Sequence, residues 1–234
     1  MKRPLIPFIH IYIPEARNEN NCEIWYFRHL FQRKLNKKAM LKYYAYPDRK
    51  AFDKAFQQTK KARIRRDDGK KGDFVAADDL FFIVTDTDLK PGRSNLDEVR
   101  ADLRNLYYLF GGDVPIIFSS RSFETWLCMH NGVYNKPFSG QRALELDVGY
   151  DYEKTEKWYR NNAERLYRTI EDACANCRIS RSNAIDPSQS EHTNSASFKT
   201  TYPALSDEYT INWFLDISTL SYMDILITLL RSFE

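Results

Sequence analysis

The sequence predicts an α/β protein built on a parallel or mostly parallel sheet, with a more helical carboxyl-terminal part. Three observations predict it. Apolar runs at residues 8–13, 80–85 and 114–118 lack the alternation of a one-sided strand, as strands covered on both faces do. Between them, residues 22–37 and 95–110 repeat apolar side chains at helical spacing, and such strand–helix alternation marks a parallel sheet. From about residue 135 the strand pattern gives way to helical stretches. The expected organisation is an α/β core over residues 1–134 and a helical extension over 135–234 packed on it.

The first strand, Phe-Ile-His-Ile-Tyr-Ile at 8–13, is β-branched and aromatic, with a proline on either side. His10 falls inside it and is expected to be structural. The helix at 22–37 carries Ile24, Phe27, Leu30, Phe31 and Leu35 inward. A second strand is expected near 42–46, and a strongly basic helix at 50–66 leads into a polar loop at 67–73. The strand at 80–85 follows. Ser94 or Asn95 can cap the helix at 95–110, which Gly111-Gly112 ends. The strand at 114–118 closes at Ser119-Ser120, and a helix starts at 122–131. One helix is expected over 152–177, with Trp158, Ala163, Leu166, Ile170 and Ala173 inward. A polar loop is expected at 180–201 and an apolar helix near 219–233.

Composition narrows the classes. Apolar residues make up 43% and aromatics 15% of 234 residues, enough for a sizeable core. No N-terminal apolar stretch resembles a signal peptide, and no run of roughly 18 apolar residues suits a membrane. The expected location is the cytoplasm. Cys22, Cys128, Cys174 and Cys177 do not form a disulfide framework. Cys174-x-x-Cys177 lacks a second pair to complete a zinc set and reads as a small apolar helix face. No Gly-x-x-x-x-Gly-Lys is present, so ATP hydrolysis by the chain itself is not expected.

The residues that point to chemistry sit at strand ends. The run from Phe81 ends in two carboxylates, Asp86 and Asp88. The carboxyl ends of parallel strands are where α/β proteins bind ligands. Two close acids resist desolvation unless a cation lies between them, which suggests a divalent-metal site; the alternative is a solvated strand-end turn. Net charge is only +3, but Lys60, Lys61, Arg63, Arg65, Arg66, Lys70 and Lys71 crowd into twelve residues. That cluster could lie along a phosphate backbone, although a charge run is more often a solvated helix face or loop. Arg121 stands at a strand-to-helix turn and can meet a phosphate.

The stretch Ile117-Phe-Ser-Ser-Arg-Ser-Phe-Glu-Thr-Trp-Leu-Cys-Met-His130 resembles the signature of the RloB family: strand, Ser, short turn, then Phe-Glu-x-Trp-Leu-x-x-His. Other pieces follow in that family's order. Glu15 with Cys22-Glu-Ile-Trp-Tyr-Phe27 is similar to its opening, and the octet 81–88 to its strand-Asp-x-Asp. Tyr152-Glu-Lys-Thr, Ile170-Glu-Asp-Ala173 and Asp216-Ile-Ser-Thr219 are similar to later motifs. The chain departs from the pattern at Ala16, where the family has Gly, and in the turn at 119–122. A short insertion after Glu15 makes Glu19 and Glu23 competitors for the second acidic role.

The resemblance implies a Toprim-like fold: a mostly parallel sheet flanked by helices, with Glu15, Asp86 and Asp88 gathered around Mg²⁺ or Mn²⁺. It also implies a nuclease of bacterial antiphage defence, abortive infection included, cutting DNA or RNA such as tRNA under the control of a partner ATPase. A non-catalytic binding or regulatory subunit and a nucleotidyl-transfer enzyme are the alternatives. Glu124 can close a second metal position or orient a water; equally, it can be a carboxylate favoured by a helix N-terminus. His130 can move a proton near neutrality or serve as a buried structural histidine.

Overall fold

The computed structural model describes residues 8–14, 21–32, 34–35, 38–45, 50, 54, 80–86, 116–119, 121–184 and 221–234. Four strands, β1 (Phe8–Ile13), β2 (Met40–Ala45), β3 (Leu80–Asp86) and β4 (Ile116–Ser119), form one parallel sheet in the order β2-β1-β3-β4. Six helices among the described residues accompany it: α1 (Cys22–Phe31), α2 (Glu124–Met129), α3 (Gln141–Val148), α4 (Glu156–Arg168), α5 (Ile170–Ala184) and α6 (Met223–Arg231). The α/β class read from the sequence is the class observed. By internal contacts the chain divides into two units, one of residues 1–84, 155–163 and 229–234, the other of 85–154 and 164–228.

In the first unit β1 pairs in parallel with β2 (Phe8↔Met40 through Ile13↔Ala45) and with β3 (Ile9↔Leu80 through Tyr12↔Ile83). Its unalternating sequence follows from burial on both faces, since every residue from Ile9 to Ile13 is buried. One face is aromatic. His10 stacks on Phe81, ring centroids 4.4 Å apart, and its Nδ1 meets the Tyr44 hydroxyl at 2.9 Å. The expectation that His10 is structural agrees with this buried setting.

Helix α1 starts where the Asn21 side chain accepts from the main-chain N–H groups of Glu23 and Ile24, at 2.9 and 3.3 Å. That cap satisfies donors no helical carbonyl can reach. The helix ends at Phe31, short of the expected 37. Ile24, Tyr26, Phe27, Leu30 and Phe31 are all buried. Glu23, a candidate for a second acidic role, is buried in its first turn. Arg28 and His29 meet Glu156 at 3.5 and 3.1 Å.

In the second unit α2 is enclosed. Trp126, Leu127 and Met129 are buried, and the Asn176 side chain of α5 donates to the Met129 carbonyl at 2.8 Å. Helix α3 has no counterpart in the sequence reading. It enters through Gly140, whose φ of 134° favours glycine, and buries only Leu144 and Val148. The single helix expected over 152–177 is two. At Thr169 the hydroxyl lies within reach of the Arg165 and Leu166 carbonyls, at 3.2 and 3.3 Å. Such a side chain competes with the helical ladder and breaks its regularity.

The ends of α5 and α6 are tied by a buried ion pair. Arg181 donates to both Asp224 oxygens, at 2.5 and 2.8 Å, and to the Ser221 carbonyl at 2.7 Å. Ser221 also bridges antiparallel to Ser119, hydroxyl to hydroxyl at 2.9 Å. Cys174 and Cys177 are buried, as a small helix face requires, but Cys177 is not purely apolar: its thiol donates to the Ser221 carbonyl at 3.0 Å. Burial and the neighbouring Asp224 push that thiol's pKa well up.

Candidate functional site

Of the expected carboxylates, Asp86 is described; Glu15 and Asp88 lie outside the described residues, as do Glu19, Lys60, Lys61, Arg63, Arg65 and Arg66. Asp86 is the last residue of β3 and half-buried. Among the described residues no group of three His, Cys, Asp or Glu side chains can hold a metal. What the backbone contributes is the setting. The chain passes from β1 to β2 on one side, then returns past β1 to β3 on the other. The order therefore reverses between β1 and β3, and a crevice opens outside the carboxyl ends of strands at such a reversal. Those ends lead in sequence to Glu15 and to Asp86-Thr-Asp88.

After β4 the chain turns through Arg121, the one non-glycine residue with positive φ (72°) among those described. The left-handed region is strained for a residue with a Cβ. Its guanidinium lies 5.3 Å from the centre of the Phe138 ring, a cation–π distance. Partial burial lowers its pKa.

Glu124 opens α2 and has no exposed surface. Its Oε1 accepts from the Tyr152 hydroxyl at 2.8 Å and pairs with Lys154 Nζ at 3.1 Å. Burial by itself raises a carboxyl's pKa, yet this one is lowered. Lys154 opposes the burial penalty most strongly, followed by the Ser122 and Tyr152 hydroxyls and the residue's own main-chain N–H. Glu124 is therefore ionised at neutral pH. Ser122 donates to Gln141 Oε1 at 3.3 Å, while Glu124 Oε2 and Gln141 Nε2 are buried without hydrogen-bond partners.

His130 caps the other end of α2 and takes different partners. It is buried, with Nδ1 2.9 Å from the Thr169 hydroxyl and its ring edge-on to Trp126 at 5.3 Å. Burial, helped by the charge of Arg165, lowers its pKa to about 3. It is thus a neutral imidazole at pH 7, without a proton to give as imidazolium.

The structure joins Glu124 to Ser122, Tyr152 and Lys154; it does not join Glu124 to His130. Tyr152, Lys154, Gln141 and Thr169 were not assigned roles from the sequence. A signal for the first two was present in the Tyr152-Glu-Lys-Thr motif, of which Tyr152 is buried and Lys154 exposed. Gln141 and Thr169 left no local signal.

No helix among the described residues is long and apolar enough to cross a membrane. Comparison of the chain with protein-family models, curated proteins and solved structures gives no match.

Proposed function

We propose that this protein is a metal-dependent nuclease cutting phosphodiester bonds of DNA or RNA at the carboxyl edge of its sheet. The observation that carries the reading is the reversal of strand order between β1 and β3, a position where α/β sheets bind ligands. The sequence leaving β3 carries Asp86 and Asp88, and the one leaving β1 carries Glu15. The donor chemistry fits a hard cation: Asp86, with Glu15 and Asp88, offers carboxylate oxygens only, as Mg²⁺ and Mn²⁺ prefer. Once bound, such an ion polarises the phosphodiester and stabilises charge on the leaving oxygen.

The chain's own groups supply the rest. Arg121, held at the β4–α2 turn against Phe138, offers a guanidinium to a substrate phosphate. Glu124, ionised and held by Tyr152 and Lys154, opens the helix that follows that turn. The basic run from Lys60 to Arg66 suits further backbone phosphates. The motif resemblance to the RloB family supports the same reading and suggests a defence role beside a partner ATPase.

The test is calorimetric titration of Mn²⁺ into the whole protein, beside Asp86→Ala and Asp88→Ala, followed by cleavage assays on DNA and tRNA. Saturable binding lost in both variants, with metal-dependent cleavage, is the expected result. Binding that both variants retain, or none in the wild type, overturns the reading. Binding without cleavage favours a subunit that holds a partner.

A further inference from the structure

The β4–α2 turn holds a residue in a conformation that only a needed side chain explains. Arg121 has a φ of 72°, which glycine adopts without strain and a residue with a Cβ does not. Strain of this kind gathers where a side chain has to be aimed at a ligand. The guanidinium lies 5.3 Å from the centre of the Phe138 ring. Both residues are half-buried, and Asn135, Lys136 and Pro137, just before Phe138, are exposed. An arginine beside an aromatic ring still offers phosphate a planar fork of donors.

Lys154 reaches the same turn through Glu124 Oε1, at 3.1 Å. Around the turn the cations stand outside their acids. Lys154 is 54% exposed and Glu124 not at all. Arg142, next to the Gln141 that bonds Ser122, is 79% exposed against 22% for its partner Glu145. Lys136 is 62% exposed against 30% for Asp147. Each pair shows solvent mainly its positive member.

We infer that the β4–α2 turn binds single-stranded nucleic acid, with Arg121 and Lys154 on backbone phosphates and Phe138 stacked on a base. Phosphate contacts alone do not separate single strands from duplexes. The ring does, because an unpaired strand can present the face of a base and a duplex keeps its bases stacked on one another. Exposed Asp151 and Glu153, on either side of Tyr152 in sequence, oppose long-range attraction. The binding therefore comes from the contacts rather than from net charge. This inference deepens the nuclease reading and rests on it for the bound strand being a substrate.

The test is fluorescence anisotropy of the full chain in EDTA, with labelled thymidine and uridine strands of about 12 nucleotides and a duplex of the same length. Wild type should bind a single strand more tightly than the duplex. Phe138→Leu should weaken single-strand binding about tenfold and leave duplex binding unchanged. Arg121→Gly should bind more weakly and take about 0.7 off the slope of log affinity against log salt. Its thermal midpoint should not fall, because the left-handed strain is relieved. Lys154→Met with Glu124→Gln should lower the slope by a similar amount, and it conserves net charge, so the loss reports a contact. No wild-type binding, equal affinity for the duplex, or binding unmoved in these variants overturns the inference. Cleavage in Mn²⁺ tests the nuclease reading separately. A strand that is bound through Arg121 and Phe138 but never cut sinks that reading and leaves this site; cleavage indifferent to both residues does the reverse.

Discussion

Replacing Lys154 with methionine removes the countercharge of a carboxylate that has no contact with solvent. Lys154 Nζ stands 3.1 Å from Glu124 Oε1, with 54% of the lysine side chain exposed and none of the glutamate. Leaving a charge alone in a protein interior costs ~3–5 kcal/mol when both partners are buried. Here solvent already screens the lysine, and Tyr152 keeps its bond to Oε1. The expected loss is therefore smaller, about 1–3 kcal/mol. For a chain of this size that lowers the midpoint of thermal unfolding by roughly 2–12 °C.

The pH dependence separates this cause from lost packing. In the wild type the Glu124 carboxyl has a folded pKa below its unfolded value. It therefore adds stability above the unfolded pKa, and that contribution is lost as pH falls through the folded pKa. In Lys154→Met the largest lowering influence is gone and the burial penalty remains, so the folded pKa rises. The difference between the two proteins is then full at pH 7 and vanishes well below both pKa values. Glu124→Gln in the Lys154→Met background should recover most of the loss, because no charge is left to strand. Urea unfolding at a series of pH values, on the wild type, both single variants and the double variant, measures all of this. A loss independent of pH, or a double variant no better than Lys154→Met, would refute the electrostatic account of this carboxylate.

Two further outcomes follow from buried groups elsewhere in the same unit. Arg181→Met leaves Asp224, whose side chain is 3% exposed, without its bidentate partner; urea unfolding should show a loss of about 3–5 kcal/mol, and Arg181→Met with Asp224→Leu should cost less than either alone. The His130 ring should show no titration by NMR between about pH 5 and 8. Its folded pKa, about 3, lies below the ordinary 6.5. The neutral ring therefore contributes stability above about 6.5 that is lost as pH falls toward 3, and an imidazole titrating near 6.5 would show that Thr169 and Trp126 do not enclose it.

What could be read from the chain and what could not divide along physical lines. Strand β1 was legible to the residue because five consecutive buried positions demand an unbroken apolar run. Strand β3 was legible for the same reason and ran one residue further, to Asp86. Helix α3 was missed because it buries only Leu144 and Val148, too thin a stripe to rise above its polar neighbours. The break at Thr169 was missed because a threonine inside a helical pattern does not announce where its hydroxyl will bond.

The candidate site shows the same division. That Asp86, Glu124 and Arg121 fall at strand ends and turns is a matter of local pattern, and the sequence alone determined it. Long-range geometry decided the rest. Glu124 could be read as a helix-start carboxylate, but its pKa is lowered by Lys154 above all, and then by hydroxyls that include Tyr152, 28 residues away. The neutrality of His130 reflects its enclosure and the nearby charge of Arg165. Above all, the strand order β2-β1-β3-β4, and with it the reversal between β1 and β3, exists only in three dimensions. Apolar periodicity reports how deeply each segment is buried. Which segment lies beside which, and which charge meets which, is set by packing across the chain, and only the tertiary structure carries that information.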